Sequence, residues 1–244
     1  MKLRYVGGPT AVIEYGDLRL VTDPTFDEPG EYPIGNRALN KTAGPGIAAD
    51  EVGPVDAVLL SHDQHPDNLD RSGREFLAGV PVVLSTGAAA GRIGATALPN
   101  WETYDLGAVR VTGVPAQHGP DGSLDVVGEV TGFVLTGDGL PTVYVSGDNA
   151  SLDVVKQIAE RFGPVDVAVL FAGGARTALF DGAYLTLTSA DAVEAARILG
   201  AGHVVPLHFE QWAHFSQGRD TLVEAFGDAP SFHLLAPGEQ TDLS

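Results

Sequence analysis

The chain has 244 residues, of which 44% are hydrophobic, and it has no cysteine. Acidic residues outnumber basic ones 32 to 14, giving a formal charge of −18. These figures exclude wholesale disorder, disulfides and thiolate chemistry, and they argue against binding a nucleic-acid backbone.

The N-terminal segment "MKLRYVGGPTAVIEYG" has no apolar core long enough for a signal peptide, and no later run approaches a membrane span. The expectation is a cytoplasmic protein with no membrane partner. "LRYVGGPTAVIEYGDLRLVTDPTF" reads as a β-hairpin, its β-rich pieces broken by Gly-Gly-Pro and Gly16-Asp17. Residues 27–54 lack periodicity and are rich in Gly and Pro, so they read as a long functional or interface loop.

From residue 55 onward, apolar β-like runs recur: "VDAVLLS", "VPVVLST", "VRVTGVPA", "TGFVLTG", "PTVYVSGD", "VDVAVLFAGG" and "HVVPLHF". Helical signals lie between several of them. "SLDVVKQIAERFG" has Ser151 as N-cap, Gly163 as a stop, and Leu152, Val155, Ile158, Ala159 and Phe162 at helical spacing. "TSADAVEAARILG" repeats that plan from Thr188 or Ser189 to Gly200, and "GRDTLVEAFG" is a shorter version. This order implies an α/β fold with mixed sheets and outer helices. With no linker-like tract and no repeat, residues 1–244 read as a single domain.

Four of the strand-like runs end in a histidine or an aspartate. "DAVLLSH" delivers His62, followed by His65 and Asp67; "VRVTGVPAQH" delivers His118, "TVYVSGD" Asp148, and "HVVPLHF" His208. Ligands of α/β sheets bind at the carboxyl ends of strands. Imidazole and carboxylate donors without sulfur suit zinc, with manganese or iron as alternatives. Each residue also has a plain structural reading. Asp148 could cap a helix, and Asp67, Asn68 and Asp70 could cap "NLDRSGREFLAG". His203 and His233 read as structural. His214 and Trp212 either line a pocket or pack on the core.

Together these residues resemble the metallo-β-lactamase superfamily, and most of all its branch similar to L-ascorbate-6-phosphate lactonase. The likeness runs through "GGPTAVIEYGDLRLVTDPTF", "LLSHDQHPDNLD", "VPAQHGP", "VYVSGDN" and "VPLHFEQWAHF". It implies a four-layer αββα sandwich of two mixed β-sheets, with one or two metal ions at one edge. The family motif H-x-H-x-D-H is matched imperfectly. One alignment puts Gln64 at the second histidine. The favoured one uses His65, with one residue inserted after His62 and Asn68 in place of the last histidine.

On that reading His62, His65, His118 and Asp148 form a strong first site. Asp67, Asp148 and His208 form a second one, weakened or empty. Gln64 and Asn68 are weak ligands at best. The implied activity is metal-dependent hydrolysis by a metal-bound hydroxide of a small-molecule ester, lactone, amide or phosphodiester, with Asp67 as general base and Asp148 in the catalytic set. The alternative is a non-catalytic or degenerate metal-binding protein on the same fold. A homo-oligomer is compatible with either reading.

Overall fold

A computed structural model describes residues 1–243. The N-terminal half contains β1 (Lys2–Gly7), β2 (Thr10–Tyr15), β3 (Leu18–Thr22), β4 (Gly30–Ile34), β5 (Arg37–Lys41), β6 (Ala57–Leu59), α1 (Arg71–Leu77), β7 (Val82–Ser85), α2 (Gly87–Ile93), β8 (Thr96–Ala97), β9 (Thr103–Leu106) and β10 (Val109–Pro115). There follow α3 (Leu124–Val127), β11 (Thr131–Gly137), β12 (Val143–Val145), α4 (Leu152–Phe162), β13 (Val167–Phe171), α5 (Ser189–Leu199), β14 (His203–Leu207), α6 (Arg219–Phe226) and β15 (Gln240–Asp242).

All the strands except β4 and β5, which pair with each other, form two mixed sheets. One has the order β15-β1-β2-β3-β6-β7-β8 and the other β14-β13-β12-β11-β10-β9. The period-2 alternation of side chains divides the first sheet between two cores. Leu20, Ala57 and Leu59 face the core shared with the second sheet. Val21, Val58 and Leu60 face a smaller core that includes Phe76 and Leu77 of α1. In the second sheet, all five residues of β13 are buried, as expected of a strand covered on both faces. Val155 and Ile158 of α4 and Ala192 and Ala195 of α5 join the large core. The result is the αββα sandwich.

Helix ends follow local chemistry. The Ser151 hydroxyl accepts from Val154 N and starts α4. Thr188 and Asp191 form a reciprocal capping box on α5, and Gly200 closes that helix at φ 59°. Each such N-cap contributes about 1 kcal/mol. Asp70 caps α1 through Gly73 N.

Residues 27–54 are not one continuous loop. They contain the β4–β5 hairpin, paired from Gly30↔Lys41 to Ile34↔Arg37, and a 3-10 turn at Ala49–Glu51. Gly35, at φ 57°, supplies the left-handed turn between the two strands. Lys41 also bridges to Trp212, which ties the hairpin to the loop after β14. Among the described residues, no helix is long and apolar enough to cross a membrane.

Candidate metal centre

The carboxyl ends of β3, β6, β10, β12 and β14 come together at one edge of the sandwich. Strands β3 and β6 are parallel, as are β12, β13 and β14, and β10 runs in the sense of β12 because both are antiparallel to β11. The loops leaving these ends therefore emerge on the same side. Gly147, at φ 56°, permits the tightest approach. A Cβ there would stand 2.5 Å from Thr131 O and 2.9 Å from Ser61 Cβ. Its absence lets the Asp148 loop lie against the Ser61–His62 loop.

His62, His65, His118 and Asp148 each direct one ligand atom to a common point, and these atoms all lie within 4.8 Å of one another. His62 Nε2 is 2.9 Å from His65 Nδ1. Asp148 Oδ2 is 3.9 Å from His62 Nε2 and 3.6 Å from His118 Nε2. A tetrahedral ion with bonds of about 2.0–2.1 Å has ligand–ligand edges of roughly 3.3–3.4 Å. The observed edges bracket that value, so the four residues fit a zinc-like cation.

The outer nitrogens are fixed as well. His118 Nδ1 donates to Leu185 O at 2.7 Å, leaving Nε2 unprotonated towards the centre. His62 Nδ1 lies 2.9 Å from Ser61 Oγ, which donates to Asp23 Oδ2 at 2.6 Å. With Asp23 ionised, the Ser61 proton goes to its carboxylate and His62 Nδ1 is the donor to Ser61. Asp23 is a site residue that the strand-end reading missed, although "LVTDP" places it at the end of β3 by the same rule. It is wholly buried, and burial pushes its carboxyl up to about 7 against the pull of Ser61 and Asn68.

Burial holds the His62 imidazole well below its usual range, and the neighbouring His65 and His118 rings add to the effect. Burial and His118 likewise bring His65 down to about 4. Both rings are neutral at pH 7, the form that binds metal.

A second group lies beside the first. His208 Nε2 is 3.4 Å from Asp67 Oδ2 and 3.4 Å from Asp148 Oδ1. His214 Nε2 is 3.0 Å from Asp67 Oδ2. Burial alone would lower the pKa of His208, but Asp148 and Asp67 outweigh it and the net shift is upward. Burial alone would raise that of Asp67, but His208 and His214 outweigh it and hold the carboxyl well below its usual range. His208 adopts φ 54°, a strained conformation for a non-glycine residue, and its N–H donates to Gly8 O at 2.7 Å. Both His208 ring nitrogens, Asp67 Oδ1 and Asn68 Oδ1 are buried without hydrogen-bond partners.

The capping readings of Asp148 and Asp67 do not hold, because Ser151 caps α4 and Asp70 caps α1. Gln64 is turned away from the ligand cluster. Its Nε2 donates to Val127 O and Glu129 O, and its Oε1 accepts from Arg92. Asn68 Nδ2 faces Asp23 and Asp148 at 3.2 and 3.4 Å. Trp212 does not line the cavity. It is buried, with Tyr32 against its ring at 5.6 Å and Lys41 Nζ at 5.6 Å. His214 does line it. His203 and His233 pair with each other at 2.9 Å, at the amino end of β14.

The cluster opens into a cavity of about 460 Å3 whose lining includes His65, Asp67, His118, Asp148 and His214. Two mixed sheets with a nitrogen- and oxygen-donor cluster at their shared edge define the metal-dependent hydrolase class of this fold. The chain belongs to that family: the model of the beta-lactamase superfamily domain matches residues 18–209. A UPF0173 metal-dependent hydrolase of Rubrobacter xylanophilus is 30% identical over 219 residues, covering 78% of this chain and 80% of the relative. One from Thermococcus kodakarensis is 24% identical across the whole of both chains.

Solved structures share the fold. A possible metal-dependent hydrolase from Veillonella parvula superposes with a TM-score of 0.86 at 14% identity, covering 99% of this chain and 98% of that one. The isothiocyanate hydrolase from Delia radicum gut bacteria superposes with a TM-score of 0.83 at 21% identity, with the same coverage. The comparisons support the superfamily and not the lactonase-like branch in particular.

Proposed function

We propose that the protein is a hydrolase of small-molecule esters, lactones or amides, working with one tightly held divalent cation, zinc by preference. The observation that carries this reading is the convergence of His62, His65, His118 and Asp148 on one point beside a cavity of small-molecule size. Three imidazoles and one carboxylate, with no sulfur, suit zinc best and also admit manganese or iron. When bound, the cation supplies Lewis acidity, which polarises a carbonyl oxygen and lowers the pKa of a water towards about 7.

The protein's own residues do the rest. Leu185 O and the Ser61–Asp23 pair lock the ring orientations of His118 and His62. Asp67, held ionised by His208 and His214, is available to accept a hydrogen bond from the attacking water and orient it. His214 lines the cavity, so the Asp67–His214 pair faces the substrate.

His65 is brought down to about 4 and is free of its proton at pH 7, which favours the first site. At the second place the charged or imidazole donors are Asp67, Asp148 and His208, and the fourth neighbour is Asn68. Asn68 adds a neutral amide, a poorer ligand than an imidazole.

Protein purified without chelator and assayed against esters, lactones, amides and phosphodiesters tests the proposal. Hydrolysis of a member of the first three classes, abolished by Asp148→Ala, is expected. Loss of neither activity nor metal in that variant would sink it.

A further inference from the structure

The cavity above the metal centre is walled by three short segments that contribute little to the core. They are the tip of the β4–β5 hairpin, α3, and the 3-10 turn Ala178–Phe180. Val127 is the one buried residue of α3, and the 3-10 turn has none. Their apolar side chains therefore do little for folding. Five large hydrophobic residues are exposed among the described residues, and Leu124 (62%), Val126 (57%) and Leu179 (51%) are three of them. Val126 and Leu179 line the cavity directly, and Leu124 belongs to the same short helix as Val126. On a chain of formal charge −18, apolar exposure gathered at the mouth of a cavity marks a contact surface.

The charged groups in these walls do not favour an ionic substrate. The Arg92 guanidinium is held by both oxygens of Asp63 and by Gln64 Oε1. Arg37 and Asp125 stand in the lining with opposite signs. The metal-centre end is polar throughout, with His65, Asp67, His118, Asp148 and His214. The walls set Ile34, Leu39, Val126, Leu179 and Phe180 among the charged groups above and the neutral Asn36 and Thr177.

We infer that the site selects neutral substrates with an apolar acyl or aryl group beside the scissile bond, and that Ile34, Leu39, Val126, Leu179 and Phe180 set this specificity. The inference rests on the hydrolase reading above and names its substrate class. The occupant of the apolar walls is the substrate itself, because those walls lead directly to His65, His118 and Asp148 within one cavity of about 460 Å3. Ligand pockets span roughly 300–1,000 Å3, so this one holds a single small molecule.

The test compares metal-loaded protein on p-nitrophenyl acetate, butyrate and octanoate, and repeats the series in Leu179→Ser and Val126→Ser. Both positions are more than half exposed, so the variants fold. In the parent, kcat/KM rises by up to about fourfold for each methylene that enters the cavity. In the variants, the octanoate-to-acetate ratio falls by about tenfold. A flat series in the parent, or ratios untouched by either substitution, would overturn the inference while leaving a hydrolase in place.

A second arm needs no turnover. The neutral apolar dye N-phenyl-1-naphthylamine should bind the metal-free protein and bind more weakly in both variants. If no ester, lactone or amide is cleaved, the hydrolase reading fails and dye binding alone decides the apolar site. Sedimentation supplies the remaining arm. A parent dimer that becomes monomeric in Leu179→Ser would assign the apolar walls to a second copy of the chain and overturn the inference, whereas an unchanged mass supports it.

Discussion

His65 Nδ1 stands 2.9 Å from His62 Nε2, although the two residues are separated by Asp63 and Gln64. The intervening side chains point elsewhere: Asp63 to Arg92, and Gln64 to Val127 and Glu129. With Asp63 and Gln64 held by these other partners, the His65 ring lies beside His62, His118 and Asp148. His65→Ala is expected to weaken metal affinity by more than about 100-fold, beyond the 10–100-fold typical of outer-shell changes. Gln64→Ala is expected to retain full metal content. Elemental analysis of the two variants, purified side by side, checks both.

The Asp23–Ser61–His62 chain gives a second prediction. Asp23→Asn and Ser61→Ala leave all four ligands in place but remove the group that fixes the His62 ring. Metal affinity should drop by about 10–100-fold in each. Competition with a chromophoric chelator measures it, and parent-like affinity in both variants would remove Asp23 from the site.

The strand-end rule made His62, His118, Asp148 and His208 legible from sequence, because each follows a run of apolar β-formers that could only be a strand. The same rule covers Asp23, which follows "LRLVT" directly, although it is not singled out among the strand-end residues. His214 was harder, since its position depends on how the loop after β14 folds back past Phe215 and Trp212. The β4–β5 hairpin was hidden by a Pro and by charged residues in two short strands that lie outside both large sheets. Its Gly35-Asn36 turn was the available signal. Helix α2, "GAAAGRI", has no apolar stripe, and only Thr86 as N-cap and Gly94 as C-cap marked its ends. What the sequence could not convey was which side chains face one another across the gap between loops.

Metal binding should depend on pH in a way set by the lowered histidines. Protons compete with the cation for imidazole nitrogen, so affinity falls only where the ligand rings become protonated. His65 is brought down to about 4, and His62 is also lowered. Above about pH 5 neither of these two rings competes with the cation, so affinity should fall by no more than about tenfold per pH unit there and more steeply below, where His65 takes up its proton. Isothermal titration across this range checks it, and a steeper decline starting near pH 7 would contradict it.

Lys41 and Asp70 form an ion pair at 3.1 Å in which neither side chain is exposed. Asp70 also caps α1 and accepts from Asp27 N, so the pair joins the β4–β5 hairpin to the segment after the metal loop. Lys41→Met leaves a buried carboxylate without its partner and should cost about 3–5 kcal/mol of stability. Adding Asp70→Asn, which keeps the cap, should recover much of that loss. Urea denaturation of the single and double variants measures the difference.

The most direct measurement is anomalous diffraction at the zinc edge from crystals of protein purified without chelator. One strong peak is expected among His62 Nε2, His65 Nδ1, His118 Nε2 and Asp148 Oδ2, with a weaker peak or none between Asp67 and His208. No peak at the first position after zinc soaking, or a stronger peak between Asp67 and His208, would contradict a centre built on His62, His65, His118 and Asp148.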